Sequence, residues 1–341
     1  MAIRSALVRL LRQEDLSQDQ AREVMDQIMS GGATAVQIAA YVIALRMKGE
    51  TVAELAGSAQ AMRDKALKID VPGAGPLVDT CGTGGDGRGT FNISTTVAFV
   101  VAACGVTVAK HGNRAISSKC GSADLLKALG VDIEAPPAVL QRCFGEAGIG
   151  FLFAPSHHGA MKHAAQPRQE LGVRTLFNLL GPLTNPASAT CQLLGVFDQR
   201  WTEPMAQVLG RLGSKRALVV HGLDGLDEIT ITAPTQLSEL RDDGRVITSR
   251  VEPEQWGIPR ADAEDLRGGD VMDNVAITRA ILNGATGPRR DVVLVNAGAA
   301  LYVAGVVADI VSGMERAAFA IDHGDANQCL QRLIAISHSS V

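Results

Sequence analysis

The chain has 341 residues and a net charge of -4, with 46% hydrophobic and only 4% aromatic residues, and 36 of its positions are glycine. At roughly 150 residues per domain this length implies about two domains. The balance of charge excludes a basic nucleic-acid or anionic-membrane binder, the apolar content excludes disorder, and glycines without a triplet period exclude collagen.

The first seventy residues read as a bundle of four helices ending near Lys68. Ile3, Ala6, Leu7, Leu10 and Leu11 fall on one helical face. Three capping boxes follow, Ser17 with Gln20, Thr34 with Gln37 and Thr51 with Glu54, and Gly31, Gly32 and Gly49 provide the stops. The Pro- and Gly-rich stretch 71–76 then marks a hinge. Beyond it strands and helices alternate. Leu77 to Asp79, Val106 to Ala109, Ile149 to Phe153, Ala217 to Val220 and Val292 to Val295 read as strands, and Ser94 to Cys104 and Ser122 to Leu129 as helices. Such alternation predicts an α/β lobe with a mainly parallel central sheet, beside the small helical bundle lobe.

The six cysteines are scattered without a C-x-x-C pair, which predicts reduced thiols and a cytoplasmic protein. No signal-peptide pattern opens the sequence, and the longest apolar run, Val97 to Cys104, is too short to span a membrane.

Four clusters carry chemistry. Asp79 to Thr90 packs five glycines into a strand-to-helix loop, whose backbone N–H groups and helix N-terminus suit a phosphate; otherwise it is an ordinary capped loop. Gly82, Gly84 and Gly87 match a dinucleotide fingerprint, but no acidic residue lies between Gly87 and Asp124 to hold a ribose, and no Gly-Lys-Ser/Thr occurs for ATP. Asn92, Ser94, Thr95 and Thr96 add donors at the following helix start. Lys110 to Lys119 is a basic and hydroxyl-rich loop at a strand end, fit for a polyanion or simply exposed. Asp227 and Glu228 follow a strand and glycine turns, and either hold Mg²⁺ or decorate a surface turn. His157, His158 and His163 invite zinc, but no acid or cysteine pattern supports it.

These stretches, with Leu45 to Thr51, Gly121 to Gly130 and Glu170 to Pro186, closely resemble the anthranilate phosphoribosyltransferases, in family order over most of the chain. The resemblance implies transfer of phosphoribosyl from phosphoribosyl pyrophosphate (PRPP) to anthranilate in tryptophan biosynthesis, a homodimer, Mg²⁺ as two ions, and the nucleoside-phosphorylase-like phosphoribosyltransferase fold. It implies residues 1–70 as the helical lobe with a returning segment near 164–189, and 76–163 and 190–341 as the α/β PRPP lobe. It assigns PRPP to Gly82, Gly85, Asp86, Thr90, Asn92, Ile93, Ser94, Thr95, to Lys110, His111, Gly112, Asn113, Arg114, Ala115, Ile116, Ser117 and Ser118, and to Ser122. Anthranilate falls to Gly82, Asn113 and Arg168, and the metal to Ser94, Asp227 and Glu228. No general base is implied. Gly159 replaces a usual proline and Gln169 an often basic residue, and both departures bear on the anthranilate entrance.

Two rivals make different demands. A pyrimidine nucleoside phosphorylase of the same fold class uses phosphate and usually carries an additional C-terminal domain; the Lys110–Arg114 run and the Asp227–Glu228 pair favour the transferase. A nucleic-acid-binding relative should be basic and lack the metal acids.

Overall fold

The computed structural model describes residues 2–73, 75–115 and 119–339. Four helices open the chain: α1 (Ala2–Leu10), α2 (Gln18–Met29), α3 (Ala35–Lys48) and α4 (Val52–Lys65). All three capping boxes form, with side chain and backbone paired in both directions. Glu54 does more than cap. Its carboxylate is 1% exposed, accepts from Leu16 N at 2.9 Å and pairs with Lys48 Nζ at 3.0 Å, so one acid ties the start of α4 to the loop before α2 and the end of α3. Two boundaries differ from expectation. α4 ends at Lys65, and Leu11 lies beyond α1 and is 77% exposed, because the chain turns away after Leu10 and carries it off the apolar face.

The remaining chain builds β1 (Leu77–Gly82), α5 (Ile93–Ala103), β2 (Thr107–Gly112), α6 (Ser122–Leu129), α7 (Pro137–Arg142), β3 (Ile149–Phe153), α8 (Ala154–His157), α9 (Lys162–Leu171), α10 (Phe177–Leu180), β4 (Cys191–Gly195), α11 (Thr202–Arg211), β5 (Arg216–Gly222), β6 (Thr235–Leu240), β7 (Val246–Val251), α12 (Val271–Leu282), α13 (Pro288–Val303), α14 (Ile310–Asp322) and α15 (Asp325–Ser337). The strands form one sheet in the order β3-β2-β1-β4-β5-β6-β7. The first five run parallel, and β6 and β7 add an antiparallel edge.

The parallel strands are buried on both faces, whereas the edge strand β7 is mostly exposed, and the side-chain period of two sends alternate residues of β4 and β5 to opposite cores. Leu193, Leu218 and Val220 join the core beneath α5, α13, α14 and α15. Their neighbours Leu194, Ala217 and Val219 face the opposite core, shared with α11 and the four-helix bundle. α9 and α10 also pack into that second core through Ala164, Phe177 and Leu180. No helix is long and apolar enough to cross a membrane among the described residues.

Val292 to Val295 is not a strand. It forms part of α13, opened by Pro288 at a first-turn position. A short β-branched run has no period that separates a buried strand from a buried helix. Here the following Ala297-Gly298-Ala299-Ala300 extends it to sixteen helical residues lodged between the sheet and α14. The glycine permits the lodging: a Cβ at Gly298 would meet Ile310 O at 2.6 Å, and one at Gly313 would meet Gly298 O at 2.6 Å. α13 and α14 therefore cross with their backbones in contact.

We predict that Gly298→Ala destabilises the protein by about 1–3 kcal/mol through overpacking at this crossing. Denaturant unfolding measures it, and an unchanged midpoint would contradict the close approach.

Candidate functional site

Four neighbouring parallel strands, β2, β1, β4 and β5, each end in glycine: Gly112, Gly82, Gly195 and Gly222. This is the carboxyl edge, where open α/β sheets receive ligands. Gly82 and Gly195 are direct register partners. A Cβ at Gly82 would collide with the Asp227 carboxylate, and one at Gly195 with the Asp227 backbone. The two glycines thus make a floor without side chains, and Asp227 lies on it.

The loop after β1 is shaped by Gly84, Gly85, Gly87 and Gly89, all with φ between 65° and 73°, a region that side chains with a Cβ disfavour. Its near end is fastened by Thr83 N to Gly195 O at 2.9 Å and by Gly84 N to Asp227 Oδ2 at 2.8 Å. Its far end is fastened by Phe91 N to Leu266 O at 3.1 Å and Gly268 N to Gly89 O at 2.9 Å. The residues at the start of α5 divide their duties. Ser94 N donates to Glu228 Oε1 at 3.2 Å. Asn92 N donates to Asn274 Oδ1 at 2.9 Å, and the Asn92 amide donates to the same atom at 3.2 Å. The Ile93 side chain is 2% exposed within the core, so only its backbone faces the loop. The Thr96 hydroxyl is spent on Asn92 O at 3.1 Å, so it is not the loop donor that its position suggested, whereas Thr95 Oγ1 is buried without a partner among the described residues.

Glu228 is buried and Asp227 half-buried, both close to Asp86. Burial first, and then the charge of Asp86, raise the Asp227 carboxyl from 3.8 to about 7. Burial and the Asp227 charge push Glu228 well above its ordinary value, with Lys110 opposing. No group of three or more His, Cys, Asp or Glu side chains is placed to hold a metal ion among the described residues. Two neighbouring carboxylates beside a glycine-rich loop fit Mg²⁺, a hard ion that takes one or two carboxylates and arrives with a phosphate. The histidines do not fit zinc. His157 Nδ1 is engaged with Leu67 O at 2.8 Å, and the His158 ring packs 5.2 Å from His111.

β2 delivers the second loop. Lys110 is 2% exposed, and its ammonium donates to Thr80 O at 2.6 Å and Ser94 Oγ at 3.4 Å. It lies beneath the site as a counter-charge to Glu228 and Asp79, and burial lowers its pKa. Asp79 is held in turn by Asn185 Nδ2 at 2.8 Å and His111 N at 3.2 Å. Burial beside His158 and His157 drives the His111 imidazole well below its ordinary pKa, so it is neutral. Asn113 and Arg114 are exposed, with Arg114 over the Phe153 ring at 5.7 Å. Asp124 closes the loop by accepting from Ala115 N at 2.9 Å and Gly121 N at 3.0 Å. Ser122 Oγ donates to Asn113 O at 3.2 Å. Ile116, Ser117 and Ser118 lie outside the described residues.

A cavity of about 810 Å³ separates the two loops from the segment that returns to the helices. Gly85, Asp86, Thr90 and Cys120 line one wall, and Arg168, Gln169 and Arg174 the other. Arg168 is half-buried over the Phe177 ring at 5.1 Å, and burial alone lowers its pKa, so no carboxylate answers it among the described residues. Arg174 stacks on Phe197 at 4.4 Å and donates to Gly85 O, reaching the glycine loop from across the cavity. At Gly159, which is exposed, a Cβ would meet nothing within 4 Å.

The sequence reading missed Asp124, Arg174, the 266–269 segment, Asn185 and Asn274. Arg174 and Asn185 were within reach, since both lie in the 170–186 stretch quoted for the family likeness. Asn274 carries no local signal, because its partner Asn92 is 182 positions away.

Residues 4–66 match the helical bundle domain of the glycosyl transferase family, and residues 74–327 match its a/b domain. An anthranilate phosphoribosyltransferase of a Geobacter species is 52% identical over 99% of both chains. That of Syntrophobacter fumaroxidans is 55% identical over 99% of this chain and 100% of its own. Among solved structures, anthranilate phosphoribosyltransferase from Thermus thermophilus superposes with a TM-score of 0.92 at 44% identity, covering 99% of both chains. The Saccharomyces cerevisiae enzyme in complex with PRPP and Mg does so with a TM-score of 0.89 at 26% identity, covering 99% of this chain and 98% of that one.

The acid cluster has a pH consequence. The folded state keeps the Asp227 proton up to about pH 7, whereas the unfolded chain releases it near 3.8. Between these values the folded state holds more protons, so this group's contribution to stability falls as pH rises. We predict that metal-free Asp227→Asn is more stable than the parent above pH 7, and that the gap closes below pH 4. Thermal unfolding across pH checks it, and a gap independent of pH would contradict the assignment.

Proposed function

The chain belongs to the anthranilate phosphoribosyltransferase family, and we propose that the cavity between the glycine loop and Arg168 is where it works. It transfers the phosphoribosyl group of PRPP to the amine of anthranilate, giving N-(5-phosphoribosyl)anthranilate and pyrophosphate, the second step of tryptophan biosynthesis from chorismate. The observation that carries the placement is an unanswered guanidinium facing an acid-bearing glycine loop across one cavity. Gly85, Asp86, Gly87 and Thr90 line one side, with Asp227 fastened behind them through Gly84 N; on the other is Arg168, with no carboxylate partner among the described residues.

The bond from the ribose C1 to the pyrophosphate oxygen breaks, and its electron pair leaves with pyrophosphate. The amine nitrogen forms the new bond to C1 and gives up a proton to water. Positive charge develops at C1 and the ring oxygen, so the protein's task is placement and electrostatics. In our reading Gly82, Gly85, Asp86, Thr90, Asn92, Ile93, Ser94 and Thr95 receive PRPP with the 110–118 loop and Ser122. Lys110 contributes from below, holding Ser94 and countering Glu228. Ser94, Asp227 and Glu228 hold Mg²⁺, in two ions. Bound Mg²⁺ supplies positive charge to the departing pyrophosphate. Arg168, with Asn113 and the Gly82 backbone, receives anthranilate, because its fork matches a carboxylate. The amine lone pair is free already, so no general base is assigned.

Residues 71–76 and the segment near 164–189 form the crossings of a hinge in this reading, and closure brings Arg168 toward the glycine loop. Val8, Leu11, Val36 and Met47 are exposed apolar residues in and beside α1 and α3, and they support a homodimer through the helical lobe. Six buried thiols support a cytoplasmic enzyme.

Loss of anthranilate fluorescence in the presence of PRPP and Mg²⁺ reports turnover. With it we predict that Arg168→Ala raises KM for anthranilate about tenfold or more, as expected for a lost charged hydrogen bond, and leaves KM for PRPP within about twofold. Equal rises would remove Arg168 from the anthranilate site. Replacing both Asp227 and Glu228 with alanine should abolish Mg²⁺-dependent turnover in a protein that still folds, and retained activity would take the metal elsewhere.

A further inference from the structure

The turn that carries Asp227 and Glu228 must hold a half-buried and a buried carboxylate near Asp86 against their repulsion. Part of its frame is internal. Asp224 accepts from Leu226 N at 3.1 Å, from Thr230 Oγ1 at 2.6 Å and from the Thr232 hydroxyl. Those bonds close the ends of the turn. The residue next to the acids, Ile229, is gripped from another element.

Asn296 lies in the middle of α13 with 0% exposure. Its Oδ1 accepts from Ile229 N at 3.1 Å, and its Nδ2 donates to Ile229 O at 2.9 Å. One side-chain amide thus satisfies both backbone groups of Ile229, as a neighbouring strand would. The second Nδ2 hydrogen goes to Val292 O at 2.8 Å. A flipped amide would oppose carbonyl to carbonyl at both places, so the network defines its orientation. The Gly298–Gly313 crossing lies two residues further along α13 and keeps that helix from drifting. A buried asparagine in a helix interior is unfavourable for the helix and costly to desolvate. Its neighbours Val293, Val295, Ala297 and Ala299 are all apolar and fully buried.

We propose that Asn296 is a positioning residue for the metal acids: by fixing both backbone groups of Ile229 it sets Asp227 and Glu228 in place before metal and PRPP arrive. The proposal rests on the reading of those two acids as metal ligands. A site held in advance loses less free energy on binding.

The test uses Mn²⁺ as the metal and electron paramagnetic resonance to count it, with PRPP present and anthranilate absent, on the full-length protein. Asn296→Ala removes the grip, and Asn296→Asp keeps the volume and the acceptor but loses the donors. The expected result is an Mn²⁺ dissociation constant raised about tenfold or more in either variant, with KM for anthranilate within about twofold. In metal-free protein the Ile229 amide should exchange its hydrogen slowly in the parent and faster in the variants. Wild-type Mn²⁺ affinity in a folded variant, or equal rises in both constants, overturns the proposal. If neither variant folds, the parent decides: fast exchange at Ile229 also overturns it. Asp227→Asn separates the two layers of the argument. Undiminished Mn²⁺ binding there defeats the reading of the acids, whereas lost binding there with normal binding in the Asn296 variants defeats the brace alone.

Discussion

Three carboxylates gathered at one sheet edge, one of them buried and another half-buried, set the terms for much of this molecule. Burial first, then the charge of Asp86 on Asp227 and of Asp227 on Glu228, raise the cost of ionising those two acids. Such a cluster persists only where the surrounding structure offers donors, a counter-charge and a rigid frame. The amides of Gly84 and Ser94 supply the donors, Lys110 supplies the charge, and Asn296 with Asp224 supplies the frame. The same features that make the cluster costly in an empty protein make it favourable for a hard cation. Stability is traded there for affinity.

The glycines belong to this arrangement. Gly82 and Gly195 are bare so that Asp227 can rest on the ends of β1 and β4. The glycines at φ near 70° turn the next loop so that it presents backbone instead of side chains. An anion is then met by N–H groups that are already oriented, and the metal acids sit against the same loop. Opposite them the chemistry changes sign. Arg168 and Arg174 come from the segment packed with the helical bundle, and Arg174 already touches the glycine loop. In the proposed reading the two substrates approach from different layers of the fold, one an anion beside the acids, the other an amine whose carboxylate meets a guanidinium. This division explains how a reaction without an assigned base is accelerated, since placement and charge are what each layer provides.

Legibility followed sequence distance. The glycine loop, the Lys110–Arg114 run and the Asp227–Glu228 pair are contiguous, and each shows in its own residues. The capping boxes are local as well, and all three formed as expected. Val292–Val295 was misread because a short apolar run looks the same in a buried helix and a buried strand; its length and its packing against α14 decide the matter. Lys110 lies in β2 and Ile93 opens α5, and the fold turns both side chains inward, which their sequence context did not reveal.

By itself the sequence determined the chemistry on offer: a phosphate-ready loop, hard oxygen donors, a basic loop, and a match in order to one family. Local spacing and backbone preference suffice for that. Tertiary structure alone decided how the charges are paired and held. Asn274 reaches Asn92 over 182 positions, and Asn296 reaches Ile229 over 67. Hydrogen bonds of that kind depend on helices meeting in space after the sheet has formed. Their residues carry no local pattern, since an asparagine in a helix reads as a weak helix former until its partner is known.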